Sequence, residues 1–239
     1  AGIVTAVGKE TPLNALDGIP ITSIESPHST TFENIYTDAG RAQYLRAQAA
    51  RVDLDTVPPL WRNASIIHLA PIANEIDSSL PNDFSPALLG VTPQGWMRHW
   101  DSSGRVSRSE WSDSESVLHK ANAVVISRED VNGDHELIEQ MAHQTRMLVV
   151  TEGAEGCVLH WNGDRRRFRA PDVNEVDATG AGDVFATAFF IRLLRTRDPW
   201  EAARFATLIA SISVTRVGLG GIPTQAEIES CLMEVLRTR

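Results

Sequence analysis

Short apolar runs recur along this chain, each closed off by polar loops, and most are separated by stretches long enough for a helix. Ile3–Val7 reads as a buried strand and Gly18–Ile24 as a second extended segment. Thr30–Tyr36 alternates sides as a half-exposed strand does, and Thr37-Asp38-Ala39-Gly40 turns the chain, so the opening third is β-rich. Ala64–Ala70, Leu88–Thr92, Ala123–Ser127 and Met147–Thr151 are apolar on both sides of the pleat, the pattern of parallel strands covered on both faces. Between the last two, Leu137, Ile138, Met141 and Ala142 place an amphipathic helix over 134–146. Alternating strand and helix predicts an α/β fold, a doubly wound and mainly parallel sheet flanked by helices.

Beyond Thr151 the pattern changes. Cys157–Trp161 and Arg165–Arg169 form a hairpin across Asn162-Gly163-Asp164. Three helices come next, at about 180–196, 199–213 and 224–236. Their starts are marked by Gly180, by Pro199 after Asp198, and by Thr224 with Glu227 as a capping box.

With 239 residues, 42% apolar and 22% charged, the chain is expected to form one domain over 1–239. Its 31 acidic against 22 basic residues give a net charge of −9, which repels polyanions and argues against a nucleic-acid partner. A small phosphate ligand stays compatible, because backbone donors act locally. The basic run Arg165–Arg169 reads as the solvated edge of a strand. Cys157 and Cys231 fit reduced thiols rather than a disulfide framework. No basic segment with an apolar core opens the chain, and no run of about 18 apolar residues occurs, so a soluble cytoplasmic protein without membrane contact is expected.

Chemistry concentrates in Glu175-Val-Asp-Ala-Thr-Gly-Ala-Gly-Asp183, which runs straight into an apolar helix. Gly180, Ala181 and Gly182 allow close backbone approach, and a helix starting there aims free N–H groups and a positive dipole end at an anion. Asp183 in that first turn is placed to take a proton from a substrate hydroxyl. An ordinary helix start uses the same residue types, and a bare Gly-x-Gly-Asp does not separate the two. No Walker A motif, nucleophile elbow or zinc spacing is present, and His28, His68 and His99 lack metal spacing. Thr92–Arg98 suits a packed loop better than a pocket wall carrying Gln94, Trp96 and Arg98.

The longer string Asp177–Asp183 resembles the signature of the ribokinase, or PfkB carbohydrate kinase, family. That resemblance implies a ribokinase-like fold with a small β-rich lid, of which 19–41 is a part that also serves dimerisation. It implies Asp183 as general base and the Gly180, Ala181 and Gly182 amides as an anion hole. ATP is the implied donor, bordered by the turn Thr151-Glu-Gly-Ala-Glu-Gly156, with Thr151, Gly153 and Gly156, and walled by Ala206 and Ala210. Taken alone, that turn reads equally as a hairpin, and the small residues as close helix packing.

Ser127-Arg-Glu-Asp130 stands where the family has Asn-x-x-Glu. Asp130 keeps an oxygen ligand for Mg²⁺, while the capping of a helix start is the other reading. Asp177 and Thr179 align with a monovalent-cation region, which implies K⁺. Arg41 is placed near the substrate or in a surface ion pair. The family's usual N-terminal sugar-binding segment has no counterpart, so a truncated chain is expected. The implied activity is phosphorylation of a hydroxyl on a sugar or polyol. Leu69–Ile76 and Ser211–Val214 faintly resemble the inositol kinase branch and widen the acceptors to cyclitols. A nucleoside kinase, or a catalytically weak nucleotide- or sugar-binding protein, is the alternative.

Overall fold

Local pattern and backbone geometry agree over most of the chain. The computed structural model describes residues 1–37 and 40–232; the side chains of 36, 37, 40 and 41 are not among those described. The chain divides into two compact units, Ala1–Ala121 and Asn122–Arg239.

In the first unit, β1 (Ile3–Val7) and β2 (Ile21–Glu25) pair in parallel, and β3 (Thr31–Thr37) runs antiparallel to β4 (Gly40–Ala47). β4 thus belongs to the β-rich opening third. The expected Thr37–Gly40 turn and the Arg41 side chain lie outside the described residues. β5 (Ile66–Leu69) and β6 (Leu88–Val91) are parallel, in keeping with their mostly apolar sequences. His68 on β5 is a half-buried structural group: its Nε2 sits 3.0 Å from Thr92 Oγ1, and loss of hydration pushes the imidazole down to about 4. β7 (Arg98–Trp100) and β8 (Val106–Arg108) form a short hairpin, and α1 (Ser114–Lys120) ends the unit.

The second unit opens with β9 (Ala123–Ser127), α2 (His135–Gln144) and β10 (Met147–Thr151), a parallel β-α-β step in which Leu148 pairs with Val124. β11 (Cys157–Trp161) and β12 (Asp164–Phe168) then add antiparallel strands, giving the order β12-β11-β10-β9. This part of the sheet is mixed because a two-residue turn cannot connect parallel strands. Asn162 and Gly163 hold φ of 53° and 77°, the left-handed pair that lets a hairpin follow the natural strand twist.

Three helices complete the unit: α3 (Ala181–Thr196), α4 (Pro199–Ser213) and α5 (Gln225–Leu232). Phe185, Phe189, Phe190 and Leu193 of α3 pack with Ala202, Ala203, Phe205 and Ile209 of α4 in the core. The corner between the two helices is tight. Arg197 takes a left-handed φ of 57° and donates its N–H to Leu193 O, and Asp198 accepts from the amides of Trp200 (2.9 Å) and Glu201 (3.2 Å) ahead of Pro199. Glu201 bridges Arg192 (2.5 Å) and Arg204 (2.7 Å), and Arg204 reaches Cys231 O at 3.1 Å, which ties the three helices together. The Thr224–Glu227 capping box forms, with Thr224 N–H donating to Glu227 Oε2 at 2.7 Å and Glu227 N–H to Thr224 Oγ1 at 3.3 Å. Residues 233–236, expected to finish the last helix, lie outside the described residues.

Candidate active site

A cavity of about 300 Å³ lies in the second unit between the β10–β11 turn, the segment leading into α3, and the C-terminal half of α4. Of the sequence-predicted residues, Thr151, Gly153, Gly156, Ala181, Gly182 and Ala210 line it. Ala206 does not: it is fully buried, one position off the face formed by Thr207, Ala210, Ser211 and Val214. Spacings of three and four residues fix that face, and helix phase is not fixed by residue size alone.

Gly156 is required for its place. It holds φ of +89°, and a Cβ there would lie 2.0 Å from Phe168 O. Glu152 N–H donates to Gly156 O (2.8 Å), closing the turn that forms one wall. Cys157, just beyond it, is buried; loss of hydration raises its thiol to about 11, so it stays a protonated packing group.

The start of α3 forms another wall. Gly180, with φ of +79°, is its N-cap, and a Cβ at Gly180 or Gly182 would meet nothing within 4 Å. Ala181 N–H already donates to Ala178 O at 3.2 Å, closing the local turn. The N–H groups of Gly182 and Asp183 have no carbonyl partner among the described residues, as the first turn of a helix dictates. An anion placed here would meet those two donors first.

Asp183 forms no hydrogen bond or ion pair among the described residues. Its residue surface is exposed, yet loss of hydration raises its pKa above the ordinary 3.8. Asp183 itself is not among the residues lining the cavity, and the two observations are compatible, because a carboxylate can touch solvent on one side while protein replaces bulk water on its others. A free carboxylate beside free amides can accept a proton while an anion is held nearby.

Asp177 is engaged differently. Its Oδ1 accepts Thr179 N–H and its Oδ2 accepts Gly218 N–H, both at 2.9 Å, and the Gly218 bond foremost lowers its pKa. Asp130 and Ser127 form a reciprocal pair: Ser127 N–H donates to Asp130 Oδ2 (2.8 Å) and Asp130 N–H to Ser127 Oγ (3.0 Å). Among the described residues, no three His, Cys, Asp or Glu side chains cluster to hold a metal. Residues 170–173 line the cavity and carried no sequence signal beyond Pro171-Asp172, the mark of an ordinary connection. Ala154, Ala178 and Phe185 also line it, two of them inside recognised motifs but with no role attached.

The family model described as pfkB family carbohydrate kinase matches residues 113–225, the stretch that carries every one of these cavity elements. Over that stretch the chain is similar to the pfkB family. A fructokinase from Escherichia coli is 26% identical over 96% of this chain and 85% of its own length. A ribokinase from Bacillus subtilis is 38% identical over 39% of this chain and 32% of its own. Among solved structures, a pyrophosphate-dependent kinase in the ribokinase family superposes with a TM-score of 0.79 at 17% identity, covering 95% of this chain and 84% of the other. This likeness shows the α/β ribokinase-like fold. No helix among the described residues is long and apolar enough to cross a membrane.

Proposed function

We propose that this protein is a pfkB-family kinase that moves the γ-phosphoryl group of ATP to a hydroxyl of a sugar, with cyclitols as the nearest alternative. The unpartnered Asp183 carboxylate, set beside free amides at the start of α3, carries this reading. Asp183 accepts the hydroxyl proton as the oxygen attacks phosphorus. The amides at Gly182 and Asp183, with Gly180, stabilise the charge gathering on the transferred group; Ala181 joins them only if its bond to Ala178 O opens.

The cavity suits the donor. Its volume of about 300 Å³, small-residue walls, and Gly156, where any Cβ would fill the turn, fit an adenine and its ribose. Mg²⁺ carried by the phosphates would supply charge neutralisation. Asp130 would hold it directly or through water. Asp177 retains lone pairs for a monovalent cation such as K⁺, although both oxygens accept amides. The 19–41 region as acceptor lid and dimer contact, a single 1–239 domain and cytoplasmic location belong to the same reading.

The fructokinase and ribokinase relatives support a sugar acceptor. The test is ADP release with ATP, Mg²⁺ and a panel of hexoses, pentoses, inositols and nucleosides. Turnover confined to sugars is expected. Firm ATP binding without turnover on any acceptor would instead support a nucleotide-binding protein on this fold.

A further inference from the structure

The basic run Arg165–Arg169 is not a uniformly solvated edge. Strand alternation on β12 sends Arg166 to one face, where its guanidinium lies 4.2 Å from the Trp200 ring centroid, and sends Arg165 and Arg167 to the other. There they rim a second cavity of about 320 Å³, roofed by His135 and Glu139 of α2, with Arg128 after β9, His160 on β11 and Glu152 at the end of β10. Its floor is apolar, from Val150, Val158 and Ile138.

The charges around this cavity are poorly matched. Three guanidiniums face two carboxylates, and only the Arg167–Glu152 pair is close. Arg128 Nη1 stands 3.5 Å from Glu152 Oε1 and Arg165 Nη1 stands 3.6 Å from Glu139 Oε1, at or beyond the limit of a useful hydrogen bond. Arg128 Nη2 faces His135 Nε2 at 3.4 Å, which adds no negative charge. The Glu152 side chain is only 11% exposed and is set in the turn, and the more exposed guanidiniums of Arg128 and Arg167 reach it from the rim. Planar guanidiniums converging on one cavity match the oxygens of phosphoryl or carboxylate groups.

The geometry points to a second ligand site here, for a compact polyanion bearing two or more phosphoryl or carboxylate groups. Thr151 and Gly153 line the first cavity, while Glu152 between them faces this one. A polyanion that draws Arg128 and Arg167 away from Glu152 alters the restraint on the shared turn. Binding here and donor binding are then coupled, and the coupling is reciprocal. This second step rests on the kinase reading of the first cavity; the anion site itself does not.

The test titrates the whole chain with citrate and, separately, inorganic tripolyphosphate by calorimetry, with and without a saturating non-hydrolysable ATP analogue. One anion per chain is expected to remain bound beside the analogue, and whichever probe binds tighter names the oxygen chemistry. Arg165→Gln, a change at an exposed side chain, and Arg128→Gln should each weaken it about tenfold or more, and Glu152→Gln should tighten it. Tm measured alongside separates these effects from misfolding. Binding abolished by the analogue, binding untouched by Arg165→Gln and Arg128→Gln, or no binding of either probe overturns the site. A chain that binds the anion through Arg165 but binds no nucleotide supports the site and counts against the kinase reading. Unchanged analogue affinity at saturating anion overturns the coupling alone.

Discussion

At the two ends of the 177–183 segment, carboxylates of the same residue type meet opposite surroundings. Asp177 is engaged by backbone on both oxygens: two amides lower its pKa and fasten the approach to α3 onto the turn at Gly218. Asp183 has no partner among the described residues, and its pKa moves up through lost hydration. One acid holds the loop and the other is left free to react. A reactive group needs unsatisfied capacity, and a neighbour must supply the order that it does not.

Substitution at Asp183 should separate the two roles most sharply. Asp183→Asn should lower kcat by about 10²- to 10⁴-fold, while Tm at neutral pH holds or rises by about 2 °C. The sign comes from the raised pKa: the folded state favours the protonated acid, so ionisation above the folded pKa disfavours folding and the amide removes that penalty. The stability gain should fade as pH falls toward 3.8, the ordinary value. Near-normal turnover in a folded Asp183→Asn protein would end the contrast. The acid limb of the wild-type rate profile should lie above 3.8, the ordinary value for an aspartate.

Gly156→Ala tests whether the first cavity depends on backbone as much as on side chains. The strained φ alone costs about 1–3 kcal/mol, and the approach of a Cβ to Phe168 O adds to it. Denaturant unfolding should show the loss and nucleotide titration should show weaker binding; an unchanged midpoint would mean the turn relaxes freely.

Asp177→Asn should give the mirror image of Asp183→Asn. The Tm should fall by a few degrees and hydrogen exchange at the Thr179 and Gly218 amides should quicken, with kcat reduced far less than by loss of the base. An equal loss of kcat in both variants would merge the two roles.

The smallest effect concerns Glu227. Hydrogen bonds from Arg216, then from Thr224, hold its carboxyl down to about 2. The stability it lends is present above its ordinary value of 4.5 and lost as pH falls toward 2. Glu227→Gln should therefore flatten acid unfolding in that window and leave the site unaffected.

Periodic segments were legible in the sequence where burial is one-sided or complete. β9, β10, α2 and the two long helices of the second unit fall where apolar spacing puts them. β4 was missed because Gly40–Ala47 lacks clean alternation, and β7 and β8 because strands this short are defined by their partners rather than by their own residues. In the candidate site, glycines at 153 and 156 signalled a turn, but their sharing of one cavity with Ala210 is a tertiary fact. Ser127 and Asp130 illustrate the limit: a Ser-x-x-Asp pattern serves a turn or a ligand equally well, and the reciprocal bonds show only that the turn is made.

The corner at Arg197 and Asp198 sets a tolerance for distant chemistry. α3 has 16 residues and so spans about 24 Å, with the free amides at one end and the corner at the other. A tilt of about 2–3° at that corner would shift Gly182 by roughly 1 Å against the Ala210 wall, and displacements of that size can cost about a hundredfold in rate. The Arg192–Glu201 bridge sits beside this pivot. The helix pair thus behaves as a pair of calipers whose setting screw lies far from its jaws.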